Sequence, residues 1–137
     1  MGKSILILRL FIGLRLIYGV IDNVFYWEDM LEFVEFLKNH SFPFPRLSAI
    51  ASVYAQLIGG LGLILGFQTK LFAWIILINF IVAIIGIHLK IGDSIEGMTP
   101  ALAMLFVSWS LLLSGPGRYS IDYIREKRRT SGEVKIR

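Results

Sequence analysis

Residues 47–66 read LSAIASVYAQLIGGLGLILG, and residues 71–89 read LFAWIILINFIVAIIGIHL, joined by FQTK at 67–70. Each run holds about 20 mostly apolar residues, and a helix rising about 1.5 Å per residue crosses a hydrocarbon core of about 30 Å in that length. Only Gln68-Thr69-Lys70 separates them, so the two helices must run antiparallel, side by side. Two further apolar stretches, Ile5–Val24 and Thr99–Ser114, flank the pair. The last is short, which calls for local thinning of the bilayer or a start inside the preceding loop. The chain is 55% hydrophobic with a mean hydropathy of +0.69, well above a soluble domain of this size. The expected architecture is an all-α integral membrane protein, an antiparallel four-helix transmembrane bundle with spans at about 5–24, 47–66, 71–89 and 99–114. With 137 residues there is room for one membrane domain, 1–124, and a basic tail, 125–137.

The net charge of +4 does not mark a nucleic-acid binder, because the cations follow the membrane. Lys3, Lys70, Arg118, Arg125, Lys127, Arg128, Arg129, Lys135 and Arg137 fall on one expected side; Lys38, Arg46 and Lys90 fall on the other. This asymmetry places both termini in the cytoplasm. Four spans independently require the two ends to share a side. Arg9 interrupts the first apolar run and no small-residue cleavage site follows, so the first span is expected to be retained. Cysteine is absent. The chain therefore carries no disulfide, thiolate nucleophile, persulfide or cysteine-ligated cluster, and any electrons must move through a bound small molecule or a partner protein.

Beyond the first span, Phe25-Tyr26-Trp27 supply an interfacial aromatic belt. From Trp27 to Asn39 the pattern is amphipathic. Glu28, Glu32, Glu35 and Asn39 share one helical face, and Met30, Leu31, Val34 and Leu37 the other. A short helix on the outer surface is expected there, ended by Ser41-Phe42-Pro43-Phe44-Pro45. Pro100 suits the first turn of the last span. Ala51, Ala55, Gly59, Gly62 and Gly66 recur at three- and four-residue spacing, a pattern that admits a close helix neighbour. The tail, with Arg125-Glu126-Lys127-Arg128-Arg129, is placed to lie against anionic headgroups or to remain a solvated extension.

The polar residues inside the spans carry the functional question. Arg15 sits near the middle of the first span, where a charge costs at least ~2.5–3.5 kcal/mol and must face the bundle or a cavity. Gln56 and Asn79 lie near the midpoints of the second and third spans, and Ser108 somewhat inward in the fourth. No acid lies within a span except Asp22 at the outer margin, one heptad from Arg15 and too far along the axis to pair with it directly. Arginine side chains lean toward the helix N-terminus, which aims Arg15 at the cytoplasmic side. Gln56, Asn79 and carbonyls could satisfy it within a packing cluster; an acidic partner subunit or an anionic or carbonyl-bearing ligand could do so equally well. Arg9, only a few residues inside, is expected to snorkel to the cytoplasmic interface. His88, near Asp93 and Glu96, and His40 share the outer side, which permits a metal site in principle, but no metal-ligand spacing appears and a hydrogen-bonded or interfacial role without metal is expected.

Several of these residues fall into a known pattern. Arg9-Leu10-Phe11-Ile12-Gly13 with Gly19, Phe42-Pro43-Phe44-Pro45, and Gln56-Leu57-Ile58-Gly59-Gly60 through Leu65-Gly66-Phe67 resemble the DoxX/DoxD family in order and spacing. So do His88 with Gly92 and the closing Gly115-Pro116-Gly117-Arg118-Tyr119-Ser120-Ile121-Asp122. Gln56 stands where that family usually has glutamate, and Asp22 where lysine is common. The resemblance implies a four-helix subunit of the bacterial inner membrane, some relatives being associated with thiosulfate:quinone oxidoreductase and others with oxidative-stress complexes. It implies an accessory or quinone-interacting subunit of a membrane oxidoreductase, with a redox protein or a second copy as partner. Arg15, Gln56 and Asn79 would then orient a quinone carbonyl or stabilise its reduced anion, with His88 exchanging protons near the outer face. A non-enzymatic scaffold or assembly factor is the competing expectation. A small-molecule transporter is a third, disfavoured by the absence of a carboxylate within the spans.

Overall fold

In the computed structural model, which describes residues 2–135, the chain forms six helices and one π-helical turn. They are α1 (Gly2–Phe25), α2 (Trp27–Asn39), α3 (Pro45–Leu65), α4 (Thr69–Ala83, continued by the π turn Ile84–His88), α5 (Ile95–Ser114) and α6 (Ile121–Lys135). Arg137, counted above among the cations of one side, lies outside the described residues. Four helices are long and apolar enough to cross a membrane: Gly2–Phe25, Pro45–Leu65, Thr69–His88 and Ile95–Ser114. The bundle closes as a ring in which α1 packs on α3, α3 on α4, α4 on α5 and α5 back on α1. Ile7, Phe11, Leu14 and Tyr18 of α1, Trp74 and Ile85 of α4, and Phe106, Trp109 and Leu113 of α5 point outward, the face such a bundle offers to lipid.

The fourth span begins four residues earlier than its apolar run. Ser94 sets the start: its hydroxyl accepts the Gly97 N–H at 3.0 Å, capping α5. Pro100 consequently lies inside the helix rather than in its first turn, where it has no N–H to offer the Glu96 carbonyl. The small residues of α3 also divide their roles. A side chain at Gly13 or Gly60 would strike the other helix's backbone, so these two glycines set the α1–α3 crossing. Gly59 and Gly62 admit Ile76 and Phe72 of α4. Gly66, with φ of 67°, ends α3 in a left-handed turn, and Ala51 is exposed.

Two apolar clusters fill the interior. Ile12, Leu16, Leu63, Ala73, Ile76, Met104 and Leu111 form one, toward the end where the termini meet. The other joins Val20, Ala49, Val53 and Ile87 to Met30 and Leu37 of α2. Helix α2 occupies the expected Trp27–Asn39, and its apolar side is driven into the bundle as a wedge, with Met30 and Leu37 almost fully buried. Phe42 follows α2 and lays its ring over Gly86 in the π turn, in space a side chain there would take.

The end of the bundle opposite α2 is held by Arg9, which does not snorkel. It is 1% exposed. Its Nε donates to the Leu63 carbonyl at 2.8 Å and one terminal nitrogen to Ile64 at 2.8 Å. The other donates to Pro116 at 3.0 Å and Tyr119 at 2.7 Å. Leu63 and Ile64 belong to the last turn of α3, whose carbonyls have few partners within the helix, and the chain turns away so sharply at Gly66 that the guanidinium fills the gap. Asp122 completes the joint from the other side. Its carboxylate accepts the N–H groups of Gln68 and Thr69 at 2.9 and 2.8 Å, capping α4, while its own N–H donates to Gly66 at 3.0 Å. The closing Gly-Pro-Gly-Arg-Tyr-Ser-Ile-Asp segment thus works as a clasp. Arg9→Met would leave these buried carbonyls short of donors at about 1–3 kcal/mol each. The expected result is a thermal unfolding midpoint in detergent clearly below wild type, with Arg9→Lys recovering only part of the loss because one ammonium cannot span four carbonyls. A wild-type midpoint for Arg9→Met would show the clasp to be dispensable.

Candidate functional site

At the other end the interior is not closed. A cavity of about 240 Å³ opens between α1, α3, α4 and α5, lined by Arg15, Gly19, Gln56, Phe80, His88 and Pro100 among others. A second, of about 590 Å³, lies on the flank of α3 and α4 beneath α2; Phe33, Phe36, Ala55, Ile78 and Val82 make its walls apolar, while Ser52, Asn79, His88 and Asp93 give it polar groups. His88 borders both. The larger volume is in the range of sites for small organic ligands.

Arg15 departs from its expected course. Its side chain runs outward instead of toward the helix N-terminus, bringing a terminal nitrogen to the surface of Gly19, where a side chain would meet it at 3.0 Å. Gly19 therefore makes room for the guanidinium. Gln56 and Asn79 do not bind it. They bind each other through Ser52: Gln56 Nε2 donates to the Ser52 hydroxyl at 3.2 Å, and that hydroxyl donates to Asn79 Oδ1 at 2.8 Å. Ser52 is one turn before Gln56 on α3, and a small hydroxyl at that position reaches across to α4 where Gln56 itself cannot. Ser108 stays out of this cluster, its hydroxyl turned back on the Met104 carbonyl at 2.6 Å. Arg15 is exposed rather than enclosed by the bundle; among the described residues it makes no hydrogen bond or ion pair, and the Tyr18 ring centre lies 5.9 Å from its guanidinium carbon.

His88 owes its place to the π turn. The Leu89 N–H reaches back five residues to Ile84 at 2.9 Å, and the wider turn sends Ile87 into the outer core and His88 to the two cavities. Its Nδ1 lies 2.7 Å from Asp93 Oδ2, both side chains being about a quarter exposed. Asp93 is itself fixed, since Oδ1 accepts the Ser94 N–H at 2.8 Å and Gly97 leaves open the space its carboxylate fills. A carboxylate at Nδ1 selects the tautomer with its proton there, leaving Nε2 as acceptor. His40 is elsewhere, half-buried, with Nδ1 2.7 Å from the Phe36 carbonyl of the preceding helix. No group of three or more metal-ligating side chains forms among the described residues.

Three of the four residues singled out in the sequence, Arg15, Gln56 and His88, thus line one cavity, and Asn79 lies in the adjoining one, linked through Ser52. Sequence reading missed Ser52 as the link, Asp93 as the orienting group and Gly19 and Gly97 as the spaces these need. The only signal was spacing: Gly19 follows Arg15, and Ser52 precedes Gln56, by four residues. Together the groups present a cation, an amide and an imidazole to a recess beside an apolar groove, an arrangement fit for a carbonyl or anionic head on a lipophilic body.

A family model described as DoxX matches residues 4–89, spanning α1 to the π turn and including Arg9, Arg15, Gln56, Asn79 and His88. No curated protein and no solved structure matches the chain. In protein labelled with 15N only at histidine, the His88 resonances are expected to report the tautomer protonated at Nδ1, and Gly97→Val, which displaces the Asp93 carboxylate, to convert them to a mixture. An unchanged spectrum in Gly97→Val would remove Asp93 from the orientation of His88.

Proposed function

The chain belongs to the DoxX family, and on that premise we propose that it is an accessory, quinone-interacting subunit of a membrane oxidoreductase system. The carrying observation is the solitary Arg15. A mid-span guanidinium without hydrogen bond or ion pair among the described residues is costly in a bilayer, and here it shares a recess with Gln56 and His88. The donors of Arg15 suit a quinone carbonyl, His88 Nε2 suits a hydroxyl formed on reduction, and the apolar groove beneath α2 suits the isoprenoid tail. A bound quinone would supply the two-electron chemistry. The chain's own part is to hold the head group, to exchange a proton at His88 Nε2 and to keep that imidazole oriented through Asp93. A cysteine-free sequence provides no thiol centre, so the electron partner is a separate redox protein, and a second copy could assemble with the chain but not supply electrons. The cation asymmetry supports both termini on the cytoplasmic side, and a bacterial cytoplasmic membrane is what the family resemblance implies.

One observation favours a scaffold or assembly factor instead: Gln56, Ser52 and Asn79 satisfy one another, as polar groups serving helix packing do. The two readings separate in protein purified with its native lipids and analysed by mass spectrometry, comparing wild type with Arg15→Leu at equal amounts of folded protein. A quinone retained by wild type and reduced at least ~10-fold in the variant, equivalent to about 1.4 kcal/mol of binding, is the expected outcome. Equal quinone in both samples would sink the proposal. No quinone in either, with a stable protein partner in wild type, would leave the scaffold.

A further inference from the structure

Helix α6 is a four-turn helix with no buried residue. It is nevertheless not loose at its start. Ser120 accepts the Tyr123 N–H at 3.1 Å, Asp122 caps α4, and the Arg125 guanidinium lies over the Phe67 ring at 5.6 Å. Six residues, 115–120, separate it from the end of the last span, so its position follows that of the bundle's end.

Its charges are sorted. At about 100° per residue, Ile124, Lys127, Arg128, Ser131 and Lys135 share one side, whereas Asp122, Glu126 and Glu133 gather on the opposite one. Arg129, at the edge of the acidic side, is paired with Glu133 at 3.6 Å. Lys127, Arg128 and Lys135 have no ion pair among the described residues, and with Arg118, Tyr123 and Ile124 they line a groove of about 650 Å³. A solvated helix gains nothing from segregating its acids and cations, whereas a helix against a negative surface does. We propose that this basic face is a docking surface for the anionic phospholipid headgroups of the adjacent leaflet. The proposal is independent of any quinone site. Cations without acids would meet the phosphates, Ile124 and Tyr123 would reach the boundary between headgroups and chains, and the clasp at Asp122 holds the start of α6 at the bundle's end.

The absence of cysteine allows a direct test in the full chain. Ser131→Cys, carrying a fluorescent label, is placed in lipid nanodiscs containing a headgroup-attached quencher, with phosphatidylcholine alone or with added phosphatidylglycerol. Quenching is expected to be at least ~2-fold stronger with the anionic lipid and to fall in high salt, where the screening length drops from about 10 Å at 0.1 M to about 3 Å at 1 M. The combined Lys127→Gln, Arg128→Gln and Lys135→Gln variant should lose this difference, and Arg129→Gln should keep it. These side chains are exposed, and an unchanged unfolding midpoint checks that the variants fold. Equal quenching in both lipids, or a lipid response retained by the triple variant, would overturn the proposal. So would protection of the label only on adding an acidic polypeptide, which would give the face to a protein.

Discussion

The cost of an unsatisfied backbone carbonyl in a low-dielectric setting governs how this bundle is put together. Each helix ends with carbonyls that have no partner of their own, and at a membrane boundary water cannot be relied on for all of them. The α3 end meets this demand three ways at once. Gly66 turns left-handed so that the N–H groups of Phe67 and Gly66 return to Gly62 and Leu63; Arg9 supplies donors from α1; and Asp122 secures Gly66 from α6. Because the same guanidinium also reaches Pro116 and Tyr119, one side chain couples the first span, the turn between the second and third, and the segment after the fourth. The packing of Ile12, Leu16 and Leu63 nearby then has fixed helix ends to build on.

The opposite end follows from the contrary condition. There α2 packs on α1 and α3, with Met30 and Leu37 in the same core cluster as Val20, Ala49, Val53 and Ile87. The π turn at Ile84–His88 answers the ring of Phe42 with Gly86 and turns His88 inward. Two cavities lie at this end, and Arg15, Gln56, Asn79 and His88 line them. One end of the molecule is locked by hydrogen bonds to backbone; the other is left with side chains that face space. The order of elements enforces this division, because the helix inserted between the first two spans can only sit at the end away from the termini.

Much of the scaffold could be read from local pattern. Span lengths, the tight Gln68–Lys70 turn and the amphipathic Trp27–Asn39 segment depend on neighbours in sequence, and periodicity records them. What failed depends on partners far along the chain. Arg9 and Arg15 look alike in hydropathy; Arg9 differs because it meets carbonyls 54 and 55 residues ahead at Leu63 and Ile64, and 107 and 110 ahead at Pro116 and Tyr119. Pro100 misled because proline suits a first turn, whereas the capping geometry of Ser94 had moved that turn upstream. Matching depth of Gln56 and Asn79 brought them into one network, but depth carries no azimuth, so it gave no hint that Ser52 would join them or that Arg15 would point the other way. The candidate residues could be picked out in the sequence; their pairing could not.

The two arginines bear on function through their contrast. Both sit in the first span, and insertion of either costs on the order of 2.5–3.5 kcal/mol at mid-depth. The fold gives Arg9 four acceptors and buries it. It gives Arg15 none, yet it clears a place for the guanidinium by having glycine at position 19 and puts Gln56 and an oriented imidazole within the same recess. Were Arg15 only a packing residue, Ser52 and Asn79 would be the natural groups to receive it, and they are engaged with Gln56 instead. Among the described residues Arg15 is exposed and has no acceptor, in a recess that meets the apolar groove at His88. A ligand of the kind proposed would have to reach mid-span through lipid, which suits an apolar molecule with an electron-rich head better than a soluble anion.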